Sequence, residues 1–247
     1  MAGIVRFAKD GVYVVDVGKL RSLRLGSPEA PEQALVRVDD FEDVLMGYVR
    51  ISALGLAYAE KPTRALMVGL GAGVFARMLA RLAPEVTVDA VEIAPAVVEA
   101  ARACFELEKL EGDKLHVHVD DAARFLRRTR RRFDLVFLDA FSKSGAVDAL
   151  SDESFYEDVR ARLSLGGVAI LNLASPPEEE RRLLEAFTEV FASVEVYRVP
   201  DEGNLLCFGQ ARPRSLGQLE RRVRALGRRT GMGPMLEAML RHRARIS

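Results

Sequence analysis

The apolar and polar positions of this chain change rhythm along its length. Residues 1 to about 25 alternate, with Val5 and Phe7, then Val12 to Val15, then Leu20, Leu23 and Leu25; Lys9-Asp10-Gly11 interrupts them as a turn signal. This predicts a small β-hairpin or meander. Residues 26–40 are rich in Pro, Glu and Asp and read as an edge or linker. Phe41 to Ala59 carries apolar residues at helical spacing (Phe41, Val44, Leu45, Tyr48, Ile51, Leu54), which predicts a helix.

From Arg64 onward, short apolar runs alternate with amphipathic stretches. Strands are expected at Arg64–Gly69, Val86–Glu92, Leu115–Val119, Phe133–Asp139 and Gly167–Leu173. Helices are expected up to Leu82, then at Ala94–Leu110, Ala122–Thr129, Ser151–Leu163 and Pro177–Phe191. Such alternation predicts βαβ units and a parallel sheet covered on both faces. Two last strands, Val194–Val199 and Asn204–Gly209, lie close enough to form an antiparallel hairpin at the sheet edge. Leu216, Leu219, Val223 and Leu226, then Met235, Leu236, Met239 and Leu240, give the tail an amphipathic helical pattern. The expected division is residues 1–40, 41–211 and 212–247.

Composition narrows the function. The chain has 247 residues, 49% of them hydrophobic, enough to bury a full core. No apolar run reaches membrane-spanning length. The N-terminus meets Arg6, Lys9 and Asp10 too early for a secretory signal, so a cytoplasmic enzyme is expected. Two cysteines exclude a disulfide scaffold and a four-cysteine zinc site, and three histidines argue against a His-rich metal site. His116 and His118 share one strand face but lack an apparent third ligand, so no metal is expected. Formal net charge is zero, which argues against a general nucleic-acid binder. That zero hides an asymmetry: residues 211–247 hold ten arginines against two glutamates, so the tail is +8 and the remainder −8. The plain reading of the tail, and of the run Arg127–Arg132, is a solvated arginine face over a packed helix. Docking of the tail on a second subunit, as in a homodimer, or on an acidic partner is the other option.

In a doubly wound sheet, ligands bind beyond the carboxyl ends of the strands. The first strand is followed by Gly69-Leu-Gly71-Ala-Gly73, where glycine permits tight turning and close backbone approach to a ligand. The second ends in Glu92, placed to accept from both hydroxyls of a ribose; helix-terminal charge stabilisation is the alternative. The third is followed by Asp120 and Asp121. Asp120 is expected to cap the next helix and Asp121 to accept from an exocyclic adenine amine. The fourth ends in Asp139, a carboxylate that needs water, a cation or a donor at such a position. Ser142 and Lys143 open a loop of small residues that could cover the site.

Taken together, these residues resemble the polyamine aminopropyltransferase (spermidine synthase) family, within the class I S-adenosylmethionine methyltransferase fold. The likeness is carried by YVRISALGLAYAEKPTRALMVGLGAG, VEIAPAVVEAAR, DDAARFLR, FDLVFLDAFS, FYEDVRARLSLGGVAILNL and EGNLLCFG. The resemblance implies a Rossmann-like, mostly parallel sheet with an antiparallel edge hairpin, a small N-terminal β extension and a C-terminal helical tail. It also implies a sulfonium nucleoside, either S-adenosylmethionine or its decarboxylated form. Gly69, Gly71 and Gly73 would pass under its tail, Glu92 would hold the ribose and Asp121 the adenine. Gln33 would lie near the nucleoside. Asp139 matches the family's catalytic aspartate, and Tyr48 a tyrosine lining the active site.

Two departures bear on the reaction. Members of the family carry an aspartate in the glycine loop, facing the amine of decarboxylated S-adenosylmethionine; here Ala72 stands there. Ala72 removes an attraction for that amine and a repulsion for the carboxylate of ordinary S-adenosylmethionine. The family's second acidic residue after the catalytic one is also missing, since Asp139 is followed by Ala-Phe-Ser-Lys. Asp148, Asp152 and Glu153 either compensate or cap the next helix. The sequence thus points first to a methyltransferase with a small-molecule or protein acceptor. Aminopropyl transfer to putrescine or a related amine is the alternative, and a binding protein that has lost catalysis is the third reading.

Overall fold

The structure, a computed structural model, describes residues 3–139, 141–142, 145–146, 152–174 and 176–244. The N-terminal alternation forms β1 (Ile4–Lys9), β2 (Val12–Val17), β3 (Leu20–Leu25) and β4 (Glu32–Arg37), an antiparallel sheet in that order. The segment expected to be an edge or linker supplies its edge strand, β4. Val12, Val14, Leu23, Ala34 and Val36 are buried in the main core, so this sheet is one of its walls. Asp16, on β2, is buried between Arg6 and Arg21, 2.7 Å from the Nε of each. These partners hold its carboxyl below the usual range, with the Arg21 bond contributing most. Arg21 also donates to the Cys104 carbonyl at 2.6 Å, tying the small sheet to the large one's helical cover.

The single helix expected over Phe41–Ala59 is instead two short ones, α1 (Gly47–Ser52) and α2 (Gly55–Tyr58). Arginine side chains take over carbonyls upstream: Arg81 donates to Glu42 at 3.1 Å and Arg50 to Val44 at 2.5 Å. Phe41 lies under the Arg77 guanidinium, 5.6 Å from ring centre to Cζ. At Gly55 the chain runs against the large sheet, where a Cβ would meet Ile170 and Leu135 at 2.6 and 2.7 Å.

The alternating segment follows the expected order. It comprises β5 (Arg64–Val68), α3 (Val74–Leu82), β6 (Thr87–Glu92), α4 (Pro95–Phe105), β7 (Leu115–Val119), α5 (Ala122–Arg128) and β8 (Phe133–Leu138). Two two-residue strands, β9 (Phe141–Ser142) and β10 (Gly145–Ala146), pair with each other. Then come α6 (Glu153–Arg162), β11 (Leu163–Leu173), α7 (Pro177–Val190), β12 (Ser193–Arg198) and β13 (Leu205–Gln210). The helix expected to reach Leu110 stops at Phe105, because Glu106 adopts a left-handed conformation (φ 52°) and only a 3₁₀ turn follows. Lys143, Asp148 and most of the loop after Asp139 lie outside the described residues.

The tail forms α8 (Leu216–Thr230), α9 (Gly233–Leu240) and β14 (Arg243–Ala244). The large sheet runs β14-β12-β13-β11-β8-β5-β6-β7, parallel from β11 to β7 and antiparallel at β13, β12 and β14. Alternate residues of the central strands feed opposite cores. Ala65, Met67, Leu135 and Phe137 face one, while Leu66, Val68, Val136 and Leu138 face the other. That two-sided burial explains the unbroken apolar runs. From β5 the chain winds outward through β6 and β7, then returns to β8 on the other side. The resulting switch point opens a crevice beyond the carboxyl ends of β5 and β8. No helix among the described residues is long and apolar enough to cross a membrane.

The arginine-rich tail docks on its own chain. Leu219, Val223, Leu226, Leu236 and Met239 are buried in the core, and β14 extends the sheet. Arg222 donates to the carbonyls of Ala57, Ala59 and Glu60, which follow or end α2. Arg229 pairs with Glu85 at 2.7 Å and Arg243 with the buried Glu195 at 2.9 Å. In the run Arg127–Arg132, Arg128 pairs with Asp120, and Arg131 with Asp89, which also holds His118. Arg222→Met keeps the stem's packing and strands three carbonyl acceptors. It is expected to lower unfolding free energy by about 2 kcal/mol in denaturant titrations; a loss below about 0.5 kcal/mol would show that water replaces the guanidinium freely.

Candidate active site

A cavity of about 300 Å³ lies at the switch point. The loop after β5 forms its floor. Gly69 and Gly71 have φ of 86° and 54°, which glycine adopts without strain. A Cβ on Gly71 would meet nothing within 4 Å, so open space lies over that backbone. Gly73 differs. It is not among the residues lining the cavity, and a Cβ there would lie 2.7 Å from Leu107 Cδ1. A side chain at Gly73 would collide with Leu107, so packing at the start of α3 also calls for glycine there. Ala72 is buried and lines the cavity.

Glu92 ends β6 and is buried. Its Oε2 accepts from Leu70 N and its Oε1 from Ala94 N, both at 2.9 Å. One carboxylate thus ties the glycine loop to the start of the next helical segment. Each oxygen keeps a further lone pair for a hydroxyl donor. Ile93 beside it is exposed and lines the cavity, offering an apolar face next to the acid.

Of the two aspartates after β7, the helix cap is Asp121 and not the expected Asp120. Asp121 is the N-cap of α5: its backbone is extended, and its Oδ1 accepts from Arg124 N at 2.8 Å. Asp120 lies one residue too early to cap. It accepts instead from Asp121 N at 3.0 Å and from Arg128 at 2.6 Å. Both line the cavity, and the cap bond leaves the second oxygen of Asp121 for a ligand. Gln33 also lines it, from β4.

Asp139 follows β8, and its N–H extends the ladder to the Val68 carbonyl at 2.9 Å. Its Oδ1 accepts from Asn172 Nδ2 at 2.7 Å, and the Tyr48 hydroxyl also donates to the carboxylate. Burial pushes its carboxyl up to about 6, opposed by the Asn172 and Tyr48 bonds, with Glu92 adding repulsion. Tyr48 is raised well above its ordinary range, chiefly by burial and then by Asp139, so it remains a proton donor at neutral pH. Asn172 is itself oriented by Asn204, which donates to its Oδ1 at 3.0 Å. Among the described residues no lysine or arginine lines the cavity, while Glu92, Asp120, Asp121 and Asp139 do. A wall of this sign favours a cationic ligand such as a sulfonium or an ammonium.

Several participants were not singled out in the sequence. Asn172 is the lone polar residue in the buried run Val168–Leu173, at the carboxyl end of the fifth parallel strand. The strand-end rule applied to the other four strands would have found it. Asp10, Val12, Leu23 and Leu25 bring the N-terminal sheet to the cavity, and nothing local in the sequence announces that contact. Of the acids weighed as compensation for the thinned acceptor site, Asp152 caps α6 by accepting from Ser154 N at 3.0 Å, and Glu153 is exposed. Cys104, Cys207 and Tyr156 are buried in the cores and His242 is exposed.

The fold is a Rossmann-like, class I methyltransferase-type architecture with a cavity at its switch point. Residues 49–200 match the spermine/spermidine synthase domain. A polyamine aminopropyltransferase of Neisseria meningitidis serogroup A is 30% identical over 237 residues, spanning 92% of this chain and 89% of that protein. The chain belongs to the spermine/spermidine synthase family. Human methyltransferase-like protein 13, solved with SAH, is 25% identical, with a TM-score of 0.69 covering 75% of this chain and 93% of that one. A spermidine synthase solved with the transition-state analogue AdoDATO shares the fold, with a TM-score of 0.74, 16% identity and coverage of 90% and 79%. The chain is thus a transferase by family.

The raised carboxyl of Asp139 has a consequence for stability. The native state holds that proton more tightly than the unfolded chain, whose ordinary value is 3.8. The stability so gained is complete below about 3.8 and is lost as pH rises to about 6. Asp139→Asn is therefore expected to raise stability at neutral pH by about 2 kcal/mol, and by almost nothing near pH 3, in thermal unfolding against wild type. An equal effect at both pH values would refute the shift.

Proposed function

We propose that this chain transfers an aminopropyl group from decarboxylated S-adenosylmethionine to putrescine or a related amine. The observation that carries the reading is Asp139: a carboxylate titrating near 6, held by Tyr48 and Asn172, in a cavity lined by acids and by no described cation. The name of the Neisseria relative, alike along nearly its whole length, supports aminopropyl over the methyl transfer first expected.

The residues divide the work as follows. The Gly69–Gly71 backbone leaves room for the donor to lie close, Glu92 accepts from the ribose hydroxyls, and the free oxygen of Asp121 accepts from the adenine amine. Asp139 orients the attacking amine and takes its proton. The nitrogen forms a bond to the carbon beside sulfur, the carbon–sulfur bond breaks, and its electron pair stays on sulfur as a neutral thioether. Rate comes chiefly from alignment of the two reactants.

Ala72 supports a second reading, methyl transfer from S-adenosylmethionine. It is buried, lines the cavity and carries no charge to repel the carboxylate of that donor. The likeness to methyltransferase-like protein 13 points the same way. Calorimetric titration with S-adenosylmethionine, its decarboxylated form and methylthioadenosine, followed by product analysis with putrescine, separates the two. Aminopropyl transfer predicts tighter binding of the decarboxylated donor, and methylthioadenosine as the nucleoside product. Formation of S-adenosylhomocysteine alone would overturn it. Ala72→Asp is expected to weaken S-adenosylmethionine binding about tenfold, a charge repulsion of about 1 kcal/mol. Asp139→Asn is expected to lower turnover at least about a hundredfold with donor affinity near normal; retained turnover would remove Asp139 from the chemistry.

A further inference from the structure

Glu202 lies in the turn between β12 and β13, exposed and apart from the cavity lining. Its Oε1 accepts from Gly47 N at 2.6 Å and its Oε2 from Tyr48 N at 3.1 Å. These are the first two N–H groups of α1, whose own N-cap, Met46, supplies no side-chain acceptor. Gly47 admits the carboxylate: a Cβ there would stand 2.8 Å from Val199 Cγ1 and 3.1 Å from Glu202 Oε1. The turn is shaped by left-handed residues on either side of Glu202, Asp201 at φ 64° and Gly203 at φ 79°. It ends at Asn204, which holds Asn172 on Asp139. One turn thus reaches both described donors to the Asp139 carboxylate, through α1 to Tyr48 and through Asn204 to Asn172.

We propose that Glu202 is a positioning residue, fixing the first turn of α1 so that the Tyr48 hydroxyl stays on Asp139. The inference rests on the reading of Asp139 as acceptor of the amine proton and adds the group that keeps it in register. The pair Tyr48–Asp139 joins residues distant in sequence, and α1 has too few residues to hold its own start. The groups facing Asp139 are Tyr48 from α1, Asn172 from β11 and Glu92 from the end of β6. The first two favour the anion by donating to it, and the third opposes it.

The test is a titration of the full, ligand-free chain labelled with carbon-13 aspartate, the Asp139 signal being assigned by its loss in Asp139→Asn. Tyr48→Phe removes a donor to the anion, so the midpoint moves up. Glu202→Ala moves it in the same direction. The double variant Glu202→Ala/Tyr48→Phe rests where Tyr48→Phe alone does, because Glu202 acts through Tyr48. Glu202→Gln keeps one carbonyl acceptor and falls between wild type and Glu202→Ala, and serves alone should the alanine variant fold poorly. With donor and amine present, Glu202→Ala lowers kcat about tenfold and leaves donor KM unchanged, the size of one lost hydrogen bond. An unmoved midpoint in both Glu202 variants, an unmoved midpoint in Tyr48→Phe, or additive shifts in the double variant would each overturn the inference. The titration requires no substrate, so its result stands whether or not the chain proves to alkylate an amine.

Discussion

The structure around the cavity is organised by the cost of keeping one carboxylate out of water. Asp139 ends a central strand buried on both faces, where an unpartnered anion is strongly disfavoured. Its partners come from distant parts of the chain: Tyr48 from the first helix, Asn172 from the fifth parallel strand, and Asn204 behind Asn172 from the final hairpin. The resulting balance leaves the carboxyl titrating near 6 instead of being neutral or fully anionic at all working pH values. A group in that range takes a proton at neutral pH and gives it up without a large barrier. The antiparallel β12–β13 hairpin, none of whose residues lines the cavity, is therefore part of the support of Asp139.

The end of the cavity lined by Glu92 and Asp121 is built differently. Glu92 spends one acceptor site on each of two backbone N–H groups, which fixes its oxygens and the glycine loop together. Asp121 uses one oxygen as a helix cap and keeps the other free. Each acid here has a structural bond as well as a free acceptor site, so its orientation is fixed by the chain itself. Such preorganisation reduces the ordering cost on binding. It also means that substituting Glu92 would disturb the loop and the ligand contact at once.

Legibility in the sequence followed the range of the interactions. The βαβ order, the strand ends and the acids placed on them were readable because strand period and turn residues are local. Asp139, Glu92, Gly69 and Gly71 fell where the pattern put them. The errors came where a neighbour distant in sequence decides the outcome. Phe41 to Ala59 has helical spacing, yet Arg50 and Arg81 capture carbonyls and Gly55 packs against the sheet, so the helix breaks in two. The shared acidic character of Asp120 and Asp121 hid which one precedes the helix by the one residue that capping needs. Glycine at position 73 meets a second requirement that spacing does not show, since Leu107 occupies the space its Cβ would take.

Charge gives the same lesson on a larger scale. The tail's excess of arginine suggested a possible partner, but Arg222 serves carbonyls of the α2 segment, Arg229 meets Glu85 and Arg243 meets Glu195. Arg128 and Arg131 likewise meet Asp120 and Asp89. These cations serve the chain's own acceptors, and of those acceptors Asp120 also lines the cavity. The cavity wall keeps five acidic residues, Asp10, Glu92, Asp120, Asp121 and Asp139, with no described lysine or arginine among the lining residues. A neutral chain thereby maintains a local field favourable to a cationic donor, and the arginines outside it let that acidic wall exist without a net charge on the whole protein.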